Sequence, residues 1–175
     1  MQIHDKHFVR YIHRDKIEEE LDWMGRKLSQ EYKDKNPLFL AVLNGAFVFA
    51  ADLYRKITCD STISFIKLAS YEGTESTGDI KEVMGLAEDI KGRHVVILED
   101  IIDTGRSMRH LIEVLSKEDP ASIKIATLLV KPEALEEPLE IAYLAFDIPN
   151  LFVVGYGLDY DGYGRQLPDI YQVRD

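Results

Sequence analysis

The chain is punctuated by nearly continuous apolar runs: PLFLAVL (Pro37–Leu43), HVVILE (His94–Glu99), SIKIATLLV (Ser122–Val130) and LFVVGYGL (Leu151–Leu158). Runs like these lack the polar alternation of a strand with one wet face. They need cover on both sides, which a parallel sheet flanked by helices provides. The connecting segments fit that frame. Asn44-Gly45 breaks the first run and Ala46–Lys56 reads as a helix; DIIDTG follows the second and leads into the amphipathic stretch Ser107–Lys117. Ile17, Leu21, Met24 and Leu28 recur at helical spacing, with Asp15 placed to cap and Glu18 three residues later. Thr62–Leu68 is strand-like. Strands alternating with helices predict an α/β domain around a mainly parallel sheet. With no repeat, low-complexity tract or linker, residues 1–175 are expected to form a single domain.

Composition narrows the function classes. A formal net charge of −10 repels nucleic acid and anionic membranes, so neither is expected as a partner. A small polyanion remains acceptable where backbone N–H groups, local cations and a divalent metal receive it. No apolar stretch approaches the ~20 residues that span a bilayer, and the N-terminus lacks the apolar centre of a signal peptide. With Cys59 the single cysteine, expected to pack in the core, a cytoplasmic location is predicted. His4, His7 and His13 lack ligand-type spacing and are not assigned a metal. Asp161 and Asp169 are read as surface charge.

In a doubly covered sheet, ligands gather just past the C-terminal ends of the strands. Here those positions are Asn44-Gly45, Glu99–Ser107, Lys131 and Asp159. The stretch VVILEDIIDTGRSM (Val95–Met108) is the most informative. A Gly-containing turn at a helix N-terminus aims several N–H groups and a partial positive charge at one point, which suits a phosphate. Thr104 and Ser107 add hydroxyl donors, and Gly105 lets the backbone approach closely. Glu99 and Asp100, at the strand end, suit sugar hydroxyls or a Mg²⁺ that holds them. Asp103-Thr104-Gly105 alone is also compatible with an ordinary turn, and the same tripeptide occurs in aspartic proteases, which need an all-β frame. Gly155-Tyr-Gly157 lacks the third glycine of a dinucleotide-binding loop. Ser70–Gly85 is polar, Gly-bearing and poorly periodic, as a long loop or loose hairpin would be.

The whole Val95–Met108 string resembles the phosphoribosyl pyrophosphate signature of type I phosphoribosyltransferases, in the version of the hypoxanthine–guanine family. LNGAF (Leu43–Phe47) is similar to that family's pyrophosphate loop, and ASYEGTESTGDIK (Ala69–Lys81) to its mobile catalytic loop. LLVKP (Leu128–Pro132) is similar to its purine-selecting lysine segment, and FVVGYGLDYDGYGRQLP (Phe152–Pro168) to its base-stacking and metal-binding segment. The resemblance is weakest near the N-terminus. It implies the type I fold: a parallel sheet flanked by helices, a small hood and a mobile catalytic loop. It implies transfer of a 5-phosphoribosyl group from phosphoribosyl pyrophosphate to N9 of hypoxanthine, and guanine, giving the nucleotide and pyrophosphate with Mg²⁺ as cofactor.

The same resemblance assigns residues. Asp103 would act at purine N7; Glu99, Asp100, Thr104, Gly105, Arg106 and Ser107 would hold the ribose and its 5′-phosphate. Lys131 would donate to the 6-oxo group, Phe152 would stack on the base and Val153 would offer its backbone. Asn44, Gly45, Ser70, Tyr71 and Arg165 would contact pyrophosphate, and Glu99, Asp100 and Asp159 the metal. On pattern alone Lys131 also reads as a snorkelling surface lysine and Phe152 as plain core. Asn44 departs from the lysine common in relatives, which leaves that loop to bind through backbone N–H groups, and Arg106 stands where lysine is frequent. Two rivals stay open at this point: a ligand sensor that keeps the fold without turnover, and a transferase for another base such as adenine, xanthine or a pyrimidine. A homodimer or homotetramer is the expected assembly.

Overall fold

The computed structural model describes residues 1–70, 80–86 and 88–174, with the main chain alone for 69, 70 and 80–84. The apolar runs form the middle of a sheet. Strands β3 (Leu38–Leu43), β4 (Thr62–Ser70), β6 (His94–Ile102), β7 (Ser122–Val130) and β8 (Tyr143–Asp147) are mutually parallel, and β5 (Ile80–Met84) pairs antiparallel with β4, giving the spatial order β5-β4-β3-β6-β7-β8. Helices α1 (Arg14–Glu31) and α2 (Phe47–Tyr54) contribute to the apolar cluster on one side, with Val96 and Leu98 of β6; α3 (Arg106–Ser116) contributes to the other, with Val95 and Ile97. Successive side chains along a strand point to opposite faces, so one unalternating run feeds both clusters.

Ile17, Leu21, Met24 and Leu28 are buried on α1, as their spacing predicts. The cap differs from the prediction: His13 is the N-cap, its Nδ1 accepting from Asp15 N at 3.2 Å, and Asp15 lies in the first turn. Cys59 is only partly buried, against the edge of the core. The segment read as a loop or hairpin carries the paired edge β4–β5, with Ser70 opposite Ile80; residues 71–79 lie outside the described residues.

A second, four-stranded sheet of order β1-β2-β10-β9 joins both ends of the chain: β1 (Gln2–Ile3), β2 (Lys6–Ile12), β9 (Val153–Val154) and β10 (Ile170–Arg174), all antiparallel. The run Leu151–Leu158, expected as a buried strand of the main sheet, contributes only the two residues of β9, and to this smaller sheet. Gly155 (φ 101°), Tyr156 (φ 51°) and Gly157 (φ 103°) leave the β region and end the ladder. The turn closes through Gly155 N to Leu158 O at 3.0 Å and Leu158 N to Gly155 O at 3.1 Å, and still buries Tyr156 and Leu158.

Asp169, read as surface charge, is 3% exposed. It accepts from Arg14 N (2.8 Å) and Tyr171 Oη (3.3 Å) and pairs with Arg10 Nε at 2.8 Å. It therefore ties the start of α1 to β2 and β10. A carboxylate at that depth needs these partners to offset lost hydration.

Candidate active site

The C-terminal ends of β3, β6 and β7 converge with the turn after β9. Lys131 immediately follows β7, its backbone N–H bonding Ile102 O at 3.0 Å, and its residue surface is 8% exposed. That burial rules out the surface-lysine reading. Its Nζ meets Asp103 Oδ2 at 2.7 Å, while the Asp103 side chain stays about half exposed. A cavity of about 330 Å³ opens beside this pair. Gly45, Asp100, Ile101, Phe152, Val153, Leu158, Asp159 and Arg165 complete its lining. Its size is at the lower end of small-ligand sites.

Phe152 is 41% exposed, which a plain core residue would not be. Its ring is backed edge-on by Tyr160 (centroids 5.4 Å, 82°) and packs on Phe8 of β2 at 6.1 Å. Tyr160 is fixed in turn by its hydroxyl bond to Asp5 at 2.6 Å. The ring is thus braced by its neighbours while part of its surface stays open for stacking. Asp5 and Phe8 went unnoticed in the sequence, since nothing local marks residues at the N-terminus as backing for Phe152. Asp159 and Arg165 pair at 2.7 Å; Arg165 Nη1 donates to Gly157 O (2.6 Å) and Asp159 accepts from Gly162 N (2.6 Å). These bonds fix a cation and a carboxylate at the cavity rim.

A second, smaller cavity of about 130 Å³ is lined by Glu99, Ile101, Ile102 and the loop residues Asp103, Thr104, Gly105, Ser107 and Met108. Gly105 is the N-cap of α3 with a left-handed backbone (φ 80°, ψ −4°). That conformation is open to glycine at little cost, and it turns the chain so that a helix N-terminus faces the cavity. The two predicted sub-sites therefore adjoin, sharing Ile101 and Asp103.

Between them lie Glu99 and Asp100, one lining each cavity. Asp100 abuts Gly45 so closely that a methyl group on Gly45 would collide with the carboxylate, while one on Gly157 would collide with Gly45 O. Three segments far apart in sequence thus meet at Gly45, which has no side chain to hold them apart. Glu99 Oε2 is buried without a hydrogen-bond partner. Burial, then the charge of Asp100, pushes the Glu99 carboxyl well above its ordinary 4.5. Burial also raises Asp100, against the opposing pull of hydrogen bonds and Arg165. Among the described residues no three His, Cys, Asp or Glu side chains form a metal cage. Mg²⁺ does not need one: it commonly takes one or two carboxylates and completes its shell with water and substrate phosphates. The orphaned Glu99 oxygen and the rim carboxylate of Asp159 are donors of that kind.

Asn44 is exposed at the end of β3, and the Leu43–Asn44 peptide is cis. Arg106 is turned outward, its Nε on Glu136 Oε2 at 2.6 Å. Ser70 is placed by its main chain at the end of β4, and Tyr71 lies outside the described residues. Every other predicted site residue lines one of the two cavities.

Known proteins share this sequence and fold. Residues 12–161 match the phosphoribosyl transferase domain family. The chain is 42% identical over 160 residues to the hypoxanthine-guanine phosphoribosyltransferase of Streptococcus pneumoniae, covering 91% of this chain and 89% of that protein. It is 39% identical over 164 residues to the enzyme of the same name from Dictyostelium discoideum, covering 91% of each. A crystal structure of a hypoxanthine-guanine phosphoribosyltransferase from Bacillus anthracis superposes with a TM-score of 0.90 at 36% identity, covering 95% of this chain and 98% of that one. Fold and sequence thus agree, and the chain belongs to the hypoxanthine-guanine phosphoribosyltransferase family.

Proposed function

We propose that this protein salvages purines, transferring the 5-phosphoribosyl group of phosphoribosyl pyrophosphate to N9 of hypoxanthine, and of guanine, with release of pyrophosphate. The observation that carries the reading is the buried Lys131 ammonium held 2.7 Å from Asp103 in a cavity whose far wall is the exposed Phe152 ring. An ammonium is a donor with no acceptor capacity. It suits a 6-oxo group and leaves a 6-amino group facing another donor, which disfavours adenine.

With a base in the cavity, Lys131 turns its donor from Asp103 to the 6-oxo oxygen, Phe152 stacks on the ring and Val153 meets its edge through the main chain. Asp103, released from the pair, takes the N7 proton, or holds a protonated N7, as N9 bonds to the anomeric carbon and the carbon–oxygen bond to pyrophosphate breaks. Thr104, Gly105 and Ser107 hold the 5′-phosphate, with Arg106 contributing through its main chain, and Glu99 and Asp100 the ribose hydroxyls. Arg165 takes the growing negative charge of pyrophosphate with Asn44, Gly45, Ser70 and Tyr71, where preorganised donors act most strongly. Mg²⁺, held by Asp159 with Glu99 and Asp100, would neutralise phosphate charge when bound. The reading takes residues 1–175 as one domain, in a cytoplasmic homodimer or homotetramer. Among the described residues, no helix is long and apolar enough to cross a membrane.

The test is turnover with phosphoribosyl pyrophosphate and Mg²⁺ against hypoxanthine, guanine, xanthine and adenine in parallel. Turnover of the first two, little with adenine, and a loss of about 10²- to 10⁴-fold in Asp103→Asn are expected. Binding of phosphoribosyl pyrophosphate without turnover of any base would instead make the chain a sensor.

A further inference from the structure

We propose that Arg109 is a positioning residue for the sugar-phosphate loop: it clamps the Thr104 carbonyl to the segment 135–137 and thereby fixes the direction of the Gly105 amide. The proposal rests on reading residues 103–107 as the 5′-phosphate loop.

Arg109 lies in the first turn of α3, its main-chain N–H bonded to Gly105 O at 3.0 Å. Helical side chains lean back toward the N-terminus, which carries this one over the loop. The side chain is only 22% exposed. Nη2 donates to Thr104 O at 3.2 Å and Nη1 to Glu137 O at 3.2 Å, with the Glu137 carboxylate 3.6 Å from Nε. Thr104 O also accepts from Glu136 N at 3.2 Å. One carbonyl is thus gripped from two sides.

The Thr104–Gly105 peptide is planar and trans, so its C=O and N–H point in opposite directions. Drawing the carbonyl toward 136–137 turns the Gly105 N–H away from that segment, toward the loop's concave side. Glycine supplies the left-handed turn but tolerates either sign of φ, so by itself it leaves this peptide free to rotate. The guanidinium, a rigid fork spanning two carbonyls, removes the alternative. Arg106 differs: its side chain is 70% exposed and its pair with Glu136 is a surface contact.

The experiment compares wild type, Arg109→Met and Arg109→Lys by calorimetric binding of ribose 5-phosphate and of inorganic pyrophosphate, together with steady-state kinetics. Arg109→Met is expected to weaken ribose 5-phosphate binding, and raise KM for phosphoribosyl pyrophosphate, by about tenfold. Pyrophosphate affinity, KM for hypoxanthine and kcat stay within about twofold. Lysine keeps one donor and recovers part of the loss. Unchanged ribose 5-phosphate affinity in Arg109→Met, or equal losses for both substrates, would overturn the proposal. Should Arg109→Met not fold, Arg109→Lys decides: ribose 5-phosphate affinity below wild type with pyrophosphate affinity unchanged supports the clamp, and wild-type affinity for both refutes it. A wild-type chain that binds neither ribose 5-phosphate nor phosphoribosyl pyrophosphate refutes the functional reading itself, and the clamp with it.

Discussion

At the residue scale, the chemistry concentrates on groups whose neighbours leave them one orientation. Lys131 is the clearest. Its ammonium is buried at the end of β7 and finds Asp103 as its partner. Replacing it with methionine keeps the bulk and removes the donor. We expect Lys131→Met to lower kcat/KM for hypoxanthine about 10²-fold, with the adenine rate staying near its low starting value, so that the ratio between the two bases narrows. Parallel kinetics on both bases check this; an unchanged ratio would remove Lys131 from base selection. The position of Lys131 was legible because an apolar run ended on a lone cation. Its burial was not, since depth depends on Ile102 and Asp103, which approach from another strand.

At the element scale, local periodicity read α1, α3 and the central strands well, because each buries a continuous stripe or both faces. It failed at Leu151–Leu158, where hydrophobicity was right and backbone conformation decided the outcome. It failed again at Asp169, whose bond from Arg14 spans 155 positions. This carboxylate carries a pH signature. Burial alone would raise it, but the Arg14 amide, Arg10, His13 and Tyr171 outweigh burial and hold it below its ordinary 3.8. A group lowered on folding contributes stability above its unfolded value and loses that contribution as pH falls through the folded one. Asp169→Asn should therefore cost about 1–3 kcal/mol near neutrality, a gap that shrinks as pH drops below about 4. Urea melts of both proteins from neutral to acid pH measure it; a pH-independent gap would show that the charge contributes nothing.

At the scale of the whole molecule, the parallel sheet carries the proposed sugar-phosphate site and the small sheet backs Phe152, the proposed stacking surface. The family match begins at residue 12, yet Phe8 and Asp5 support Phe152 and Tyr160 from before that point. Removing residues 1–12 would delete β1 and β2, strip β10 of a partner, and leave Phe152 without Phe8 and Tyr160 without Asp5. The expected result is a KM for hypoxanthine raised at least tenfold, the scale of losing a supported aromatic contact, with KM for phosphoribosyl pyrophosphate much less affected. Kinetics at varied concentrations of each substrate separate the two; an equal rise in both would mean that the small sheet braces the whole site.

The pairing of β2 with β10 also orders events in time. A ribosome adds ~5–20 residues per second, so β2 emerges roughly 10–30 s before β10 can reach it. Within that interval the strands of the central sheet are made one after another while β2 keeps an open edge, and open edges are where chains pair wrongly with one another. Lys6 and Arg10 within β2 place charge on that waiting strand, a deterrent to such pairing until β10 is made.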